Sequence, residues 1–212
     1  MKINEIFYSI QGESSFMGWP CIFVRLAACN LRCSYCDTEY AFHEGRQMAI
    51  PEILQAIAAY PSRVVLVTGG EPLLQESVHD LFRELLARDY TVCLETGGHM
   101  PVDRVDARVH KIMDFKCPSS GMSAHNNFDN VECLALNDEV KFVVGDRADF
   151  DWACALIRSR NLINKAGTVL FSPVYEKMPY HLLAAWVLES GLRVRMQLQL
   201  HKVIWPGVLR GV

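Results

Sequence analysis

Apolar, β-branched runs alternate along the chain with stretches whose apolar residues recur at helical spacing. The runs predict strands over Ile3–Tyr8, Ile22–Ala27, Arg63–Val67, Thr91–Glu95, Lys111–Phe115, Val140–Val144, Thr168–Phe171 and Arg193–Leu198. Helical patterns lie between them at Pro51–Tyr60, Gln75–Arg88, Ala148–Arg160 and Pro179–Ser190, several with proline near the first turn. Strand and helix in alternation imply an α/β fold with a mostly parallel sheet. The unbroken run Val64-Val-Leu-Val67 fits a strand buried on both faces, which places helices outside a curved sheet. Eight full βα units need about 250 residues. A chain of 212 residues therefore favours an open, partial parallel β/α barrel over a closed one. No repeat, low-complexity segment or linker divides it, so one domain is expected over 1–212.

Half the residues are hydrophobic and 21% are charged, a globular composition. The net charge of −3 gives no reason to expect nucleic acid or an anionic membrane as partner. The first residues lack a signal core, and no stretch offers about twenty consecutive apolar residues. A cytoplasmic location is expected, and eight cysteines there should be reduced thiols rather than a disulfide framework.

Chemistry concentrates after the second predicted strand, where Cys29-Asn-Leu-Arg-Cys-Ser-Tyr-Cys36 places Cys29, Cys33 and Cys36 at C-x3-C-x2-C spacing. Three thiolates this close can hold three corners of a [4Fe–4S] cube and leave one iron open. A zinc site would need a matching second half. None exists: Cys93, Cys117, Cys133 and Cys154 are isolated, and His43, His79, His99 and His110 show no paired spacing. These four cysteines and Cys21 read as small buried hydrophobes. A second motif, Thr68-Gly-Gly-Glu-Pro72, follows the strand Val64–Val67. A Gly-Gly pair alone is ordinary turn punctuation.

Together the two motifs resemble the radical S-adenosylmethionine (SAM) superfamily, in which an aromatic residue, here Tyr35, precedes the third cysteine. The resemblance implies a partial barrel of the radical SAM type, with the cluster loop after the first core strand, and SAM bound at the open iron. It implies SAM contacts from Tyr35, Cys36 and Asp37, from Gly70 with Gly69 and Glu71 close by, from Asp114, Phe115 and Lys116, and from Ser172, Pro173, Val174 and Tyr175. Lys116 reads equally as a surface charge, and Ser172-Pro173 as a strand-ending turn.

Ser9-Ile-Gln-Gly-Glu13 and Asp37-Thr38, with Glu95-Thr-Gly97, Pro118-Ser-Ser120 and Gln199-Leu-His201, further resemble the 7-carboxy-7-deazaguanine synthase family. That resemblance implies a Mg2+-dependent radical lyase of queuosine and deazapurine biosynthesis, converting 6-carboxy-5,6,7,8-tetrahydropterin to 7-carboxy-7-deazaguanine with loss of ammonia. It implies a homodimer and an electron donor such as flavodoxin or ferredoxin. Ile10, Gln11, Gly12 and Glu13 would read the pterin's amide-like edge. Without the resemblance, Glu13 is an exposed strand-end charge and Gln11 a turn residue. Arg25, inside an apolar strand, needs an anionic partner, either the substrate carboxylate or a neighbouring glutamate. Thr68 and His201 complete the implied substrate set. Thr38, otherwise a turn hydroxyl, becomes a Mg2+ ligand, a role suited to a hard oxygen. Two positions depart from the family: Ser14 and Ala28 stand where glycine is usual. Trp205–Val212 extends past His201, so Val212 is left outside the expected site. A glycyl-radical-enzyme activase would share the cysteine motif, and a non-enzymatic iron–sulfur sensor would need only the cluster.

Overall fold

The computed structural model describes residues 1–212. All nine strands join one sheet in the order β3-β1-β2-β4-β5-β6-β7-β8-β9. Strand β1 (Lys2–Ile10) runs antiparallel to β2 (Pro20–Leu26) and to the two-residue β3 (Arg46–Gln47). From β2 onward the pairing is parallel through β4 (Val64–Gly69), β5 (Thr91–Thr96), β6 (His110–Phe115), β7 (Glu139–Val144), β8 (Thr168–Pro173) and β9 (Arg195–Met196). The first and last strands do not pair, so the barrel is open.

The helices are α1 (Ile50–Ala58), α2 (Val78–Leu86), α3 (Arg147–Ser159), α4 (Leu162–Lys165), α5 (Tyr180–Ser190) and α6 (Leu200–Ile204). The predicted helix Gln75–Arg88 begins three residues late because Gln75 closes the short turn Pro72–Leu74 with extended backbone (φ −107°, ψ 100°), its side chain bonded to Lys2 N, Lys2 O and Ala27 O. Asp146 caps α3 through a bond from Asp149 N, 2.9 Å. The predicted strand Arg193–Leu198 pairs only at Arg195 and Met196. Short β3, α4 and α6 escaped the sequence pattern because so few residues show no period.

The run Val64–Val67 is buried on both faces, as expected. Val65 and Val67 join the large core beneath the helices, whereas Val64 and Leu66 join Phe7, Cys21, Phe23, Cys93 and Ile112 on the concave face. Phe7 and Phe23 stack there with centroids 4.7 Å apart. Two residues further along four strands, the side chains on the same face become polar: Phe23 gives way to Arg25, Leu66 to Thr68, Cys93 to Glu95 and Ile112 to Asp114. The barrel thus has an apolar floor and a polar chamber above it.

Candidate active site

Above this floor, at the carboxyl ends of the parallel strands, lies a cavity of about 420 Å³, a size suited to small ligands. Cys29, Cys33 and Cys36 all line it. Burial pushes all three thiols above their ordinary range. The loop that carries them is tied at several points. Ser34 donates from its backbone to Ser120 O (3.0 Å) and from its hydroxyl to Ser119 O (2.8 Å), and Arg32 reaches Cys29 O (2.8 Å) while lying over the Phe42 ring. Ala28 enters the loop at φ +78°.

The Gly-Gly turn is pressed against this loop. A Cβ on Gly69 would stand 2.2 Å from Leu26 O, and one on Gly70 would stand 2.1 Å from Ala28 O and 2.9 Å from Cys29 Cβ. The glycines therefore permit direct backbone packing of the turn on the cysteine loop. Glu71, fully buried, accepts from Leu73 N (3.0 Å), Gly97 N (2.8 Å) and the Thr96 hydroxyl (2.9 Å), so its carboxylate is committed to protein donors.

No group of His, Cys, Asp or Glu side chains converges on a single ion position. Cys29, Cys33 and Cys36 nevertheless share one chamber. No fourth cysteine joins them: Cys21, Cys93, Cys117 and Cys154 are buried in the core and Cys133 packs against it. Beside the thiols, Asp114 Oδ1 and His99 Nδ1 are buried without a partner while their residues line the cavity. Unused ligands and unused hydrogen-bonding atoms facing one space fit a cluster and a polar cofactor.

The opposite wall is built by the loop after β1 and by α6. Leu200 N donates to Gly12 O (3.0 Å), and a Cβ on Gly12 would strike His201 Nδ1 at 2.1 Å, so α6 seats directly on that glycine. Glu13 points inward to Lys141 (2.8 Å) and Gln199 (2.8 Å), and Gln11 is buried with its carbonyl accepting from Glu13 N. Neither behaves as the exposed charge or plain turn residue that the residues alone allowed. Arg25 Nε meets Glu5 at 2.7 Å, and the same carboxylate oxygen accepts from the Tyr40 hydroxyl. The neighbouring glutamate is thus the partner of Arg25 in this structure, although Arg25 also lines the cavity. Thr38 donates to Asp37 Oδ1 (2.9 Å), and Lys202 Nζ approaches Asp37 Oδ2 at 2.5 Å. The Asp37 side chain is 45% exposed at the mouth of the cavity, and Lys202 and Thr38 hold its pKa below the usual range.

The Radical SAM superfamily profile matches residues 24–182. The 7-carboxy-7-deazaguanine synthase of Chlorobaculum tepidum is 51% identical, with all of this chain and 97% of that protein covered. The chain belongs to the 7-carboxy-7-deazaguanine synthase family of radical SAM enzymes. A further synthase, from Koribacter versatilis, is 46% identical over the whole of both chains. The fold matches the crystal structure of QueE from Escherichia coli with a TM-score of 0.78, 23% identity and 94% of each chain covered.

In this member of the synthase family, most expected site residues share the one cavity: Ile10, Gln11, Glu13, Arg25, Tyr35, Cys36, Asp37, Thr38, Thr68, Gly70, Asp114, Lys116, Val174, Tyr175 and His201 all line it. Lys116 is no surface charge; it pairs with Asp114 at 3.1 Å and is largely buried. Other expectations need correction. The Phe115 ring lies in the helix-side core against Phe128 and Phe142, because its position in β6 faces opposite to Asp114. Ser172 and Pro173 are buried at the end of β8 and do not line the cavity, although the Ser172 hydroxyl lacks a partner. Val212, expected outside, lines it together with Val208 and Leu209. Arg210 helps hold this tail through Glu44 (2.7 Å) and the Tyr40 ring.

Lys141 is the residue that sequence reasoning missed. It lies in the predicted strand Val140–Val144 and carries a charge inside an apolar run, the same signal that singled out Arg25.

Proposed function

We propose that this enzyme converts 6-carboxy-5,6,7,8-tetrahydropterin to 7-carboxy-7-deazaguanine with loss of ammonia, as a single cytoplasmic catalytic domain acting in deazapurine biosynthesis. One observation carries the reading: the three-cysteine loop opens into the same cavity as an inward ring of Arg25, Thr68, Glu95, Asp114 and Lys141. Cys29, Cys33 and Cys36 would hold a [4Fe–4S] cluster, which with SAM supplies a 5′-deoxyadenosyl radical when both are bound. Asp114 with its unpartnered Oδ1, Lys116, Tyr35, Gly70, Val174 and Tyr175 would hold SAM beside it.

The chain's own residues then orient the pterin. Glu95 and Glu13 offer carboxylate acceptors to its amino and amide N–H groups, and Gln11 with the backbone of Ile10 to Gly12 supplies complementary polar atoms. Arg25 keeps its terminal nitrogens for the substrate carboxylate, since only Nε is spent on Glu5. The tail residues Val208, Leu209 and Val212 add apolar lining at the rim of the cavity. Thr38 would supply a hard oxygen for Mg2+. An acidic redox protein such as flavodoxin or ferredoxin would deliver the electron, and the working form would be a homodimer.

The test is anaerobic reconstitution of the cluster, followed by dithionite, SAM, Mg2+ and the carboxytetrahydropterin, with product detected by mass. Mg2+-stimulated 7-carboxy-7-deazaguanine is expected, and Thr38→Ala should abolish the stimulation. 5′-Deoxyadenosine without that product would refute the substrate and leave radical chemistry on another target, such as a glycyl-radical enzyme. An intact cluster with neither product would indicate a sensor.

A further inference from the structure

Lys141 projects from β7 into the chamber and is only 4% exposed. Its ammonium is 2.6 Å from Glu95 Oε1, 2.8 Å from Glu13 Oε2 and 3.4 Å from Asp114 Oδ2. These carboxylates come from three elements: β5, the loop after β1, and β6. Lys116 also bonds Asp114, and His201 from α6 lies near both Glu13 and Glu95. Three carboxylates thus face two ammonium groups, and with His201 neutral the cluster keeps one excess negative charge. Glu95, the most open of the three carboxylates, has its other oxygen on the Thr68 hydroxyl and retains free lone pairs toward the cavity.

A bare carboxylate in such a place would take up a proton and become a donor, which would repel the N–H groups of a nitrogen heterocycle. The geometry points to Lys141 as the positioning residue that holds Glu13 in place and keeps Glu95 ionised and aimed, so that the chamber presents acceptors to a donor-rich heterocyclic edge. This deepens the proposed function and rests on it for the identity of the heterocycle. Burial opposes charge on Lys141, yet Glu13, Glu95 and Asp114 overcome that effect and hold it protonated well above the ordinary lysine value. Burial likewise opposes charge on Glu95, and Lys141 followed by Thr68 reverses it.

The experiment compares the full-length, cluster-reconstituted wild type with Lys141→Met and Lys141→Arg. Carbon-13 NMR of labelled glutamate follows the carboxylates directly and needs no substrate. Affinity for 6-carboxytetrahydropterin is measured from pH 6 to 9 by anaerobic calorimetry. In Lys141→Met, Glu95 should titrate above the ordinary carboxylate value. Pterin affinity should fall about 10- to 100-fold at pH 7 and recover as pH rises, while the wild type stays flat. Lys141→Arg should keep the carboxylates ionised and the profile flat. Unmoved carboxylate titrations in a folded Lys141→Met would overturn the proposal, as would equal, pH-independent losses in both variants. If Lys141→Met does not fold, the arginine variant decides: a raised carboxylate titration there is equally fatal. Shifted titrations with a wild type that does not bind the pterin would uphold the electrostatic role and refute the substrate instead.

Discussion

Replacing Glu71 by glutamine exchanges one carboxylate oxygen for an amide NH2 and changes little else in shape. The wild-type side chain is fully buried and accepts from Leu73 N, Gly97 N and the Thr96 hydroxyl at 2.8–3.0 Å. The two backbone donors approach different oxygens, so in either amide orientation the NH2 faces one backbone N–H. That N–H is left buried and unpaired, at about 1–3 kcal/mol, and the bonds that remain lose charge assistance worth about 1 kcal/mol. Glu71→Gln should therefore cost about 2–4 kcal/mol, and Glu71→Ala, which strands all three donors, about 3–6 kcal/mol. Either is a large part of the roughly 5–15 kcal/mol that holds a domain folded. Anaerobic urea titration of the cluster-free chains, followed by far-ultraviolet circular dichroism, measures the difference. A Glu71→Gln variant within about 0.5 kcal/mol of wild type would show that this carboxylate is not the clamp between the Gly-Gly turn and β5.

Four further outcomes are expected. Ala28→Gly should raise stability by about 0.5–1 kcal/mol, because relief of left-handed strain exceeds the extra freedom of the unfolded chain; a lower melting temperature by calorimetry would contradict this. Ser14→Gly should be close to neutral, since the same relief at φ +66° is offset by loss of the bond from Phe16 N to the serine hydroxyl. Burial foremost, then Lys116 and His125, lowers the His99 pKa to about 4. The unfolded chain then binds the proton first, so stability is full above about pH 6.5 and declines toward pH 4; His99→Gln should flatten that slope by about 1–3 kcal/mol, and identical pH dependences would exclude the effect. Single alanine replacements of Cys29, Cys33 or Cys36 should abolish iron binding on reconstitution, whereas Cys21→Ala and Cys93→Ala should keep it; iron retained by any of the first three would break the assignment of that ligand.

Sequence alone determined the order of the longer strands and helices and the cysteine loop, because each rests on local information: an apolar period, a turn residue, a spacing of thiols; the chain's length of 212 residues added the open barrel. The motif resemblance likewise reached the enzyme family, since its residues lie in short contiguous runs. Tertiary structure decided which charges meet. Arg25 and Lys141 look alike in sequence, each a cation inside an apolar strand, yet one pairs with Glu5 across the antiparallel β1–β2 ladder and the other gathers carboxylates from three elements. Ser14 and Ala28 looked like losses of a family glycine; their positive φ angles show why glycine suits those positions and where the strain sits. Phe115 stood between two polar cavity residues in sequence but faces the core, since neighbouring strand residues point to opposite sides of the sheet. Val212 entered the cavity because the tail folds back through contacts as distant as Arg210 with Glu44, which no local pattern encodes. Pairings set by strand register and long-range closure depend on the whole chain at once, and those are the features a reading of local spacing leaves open.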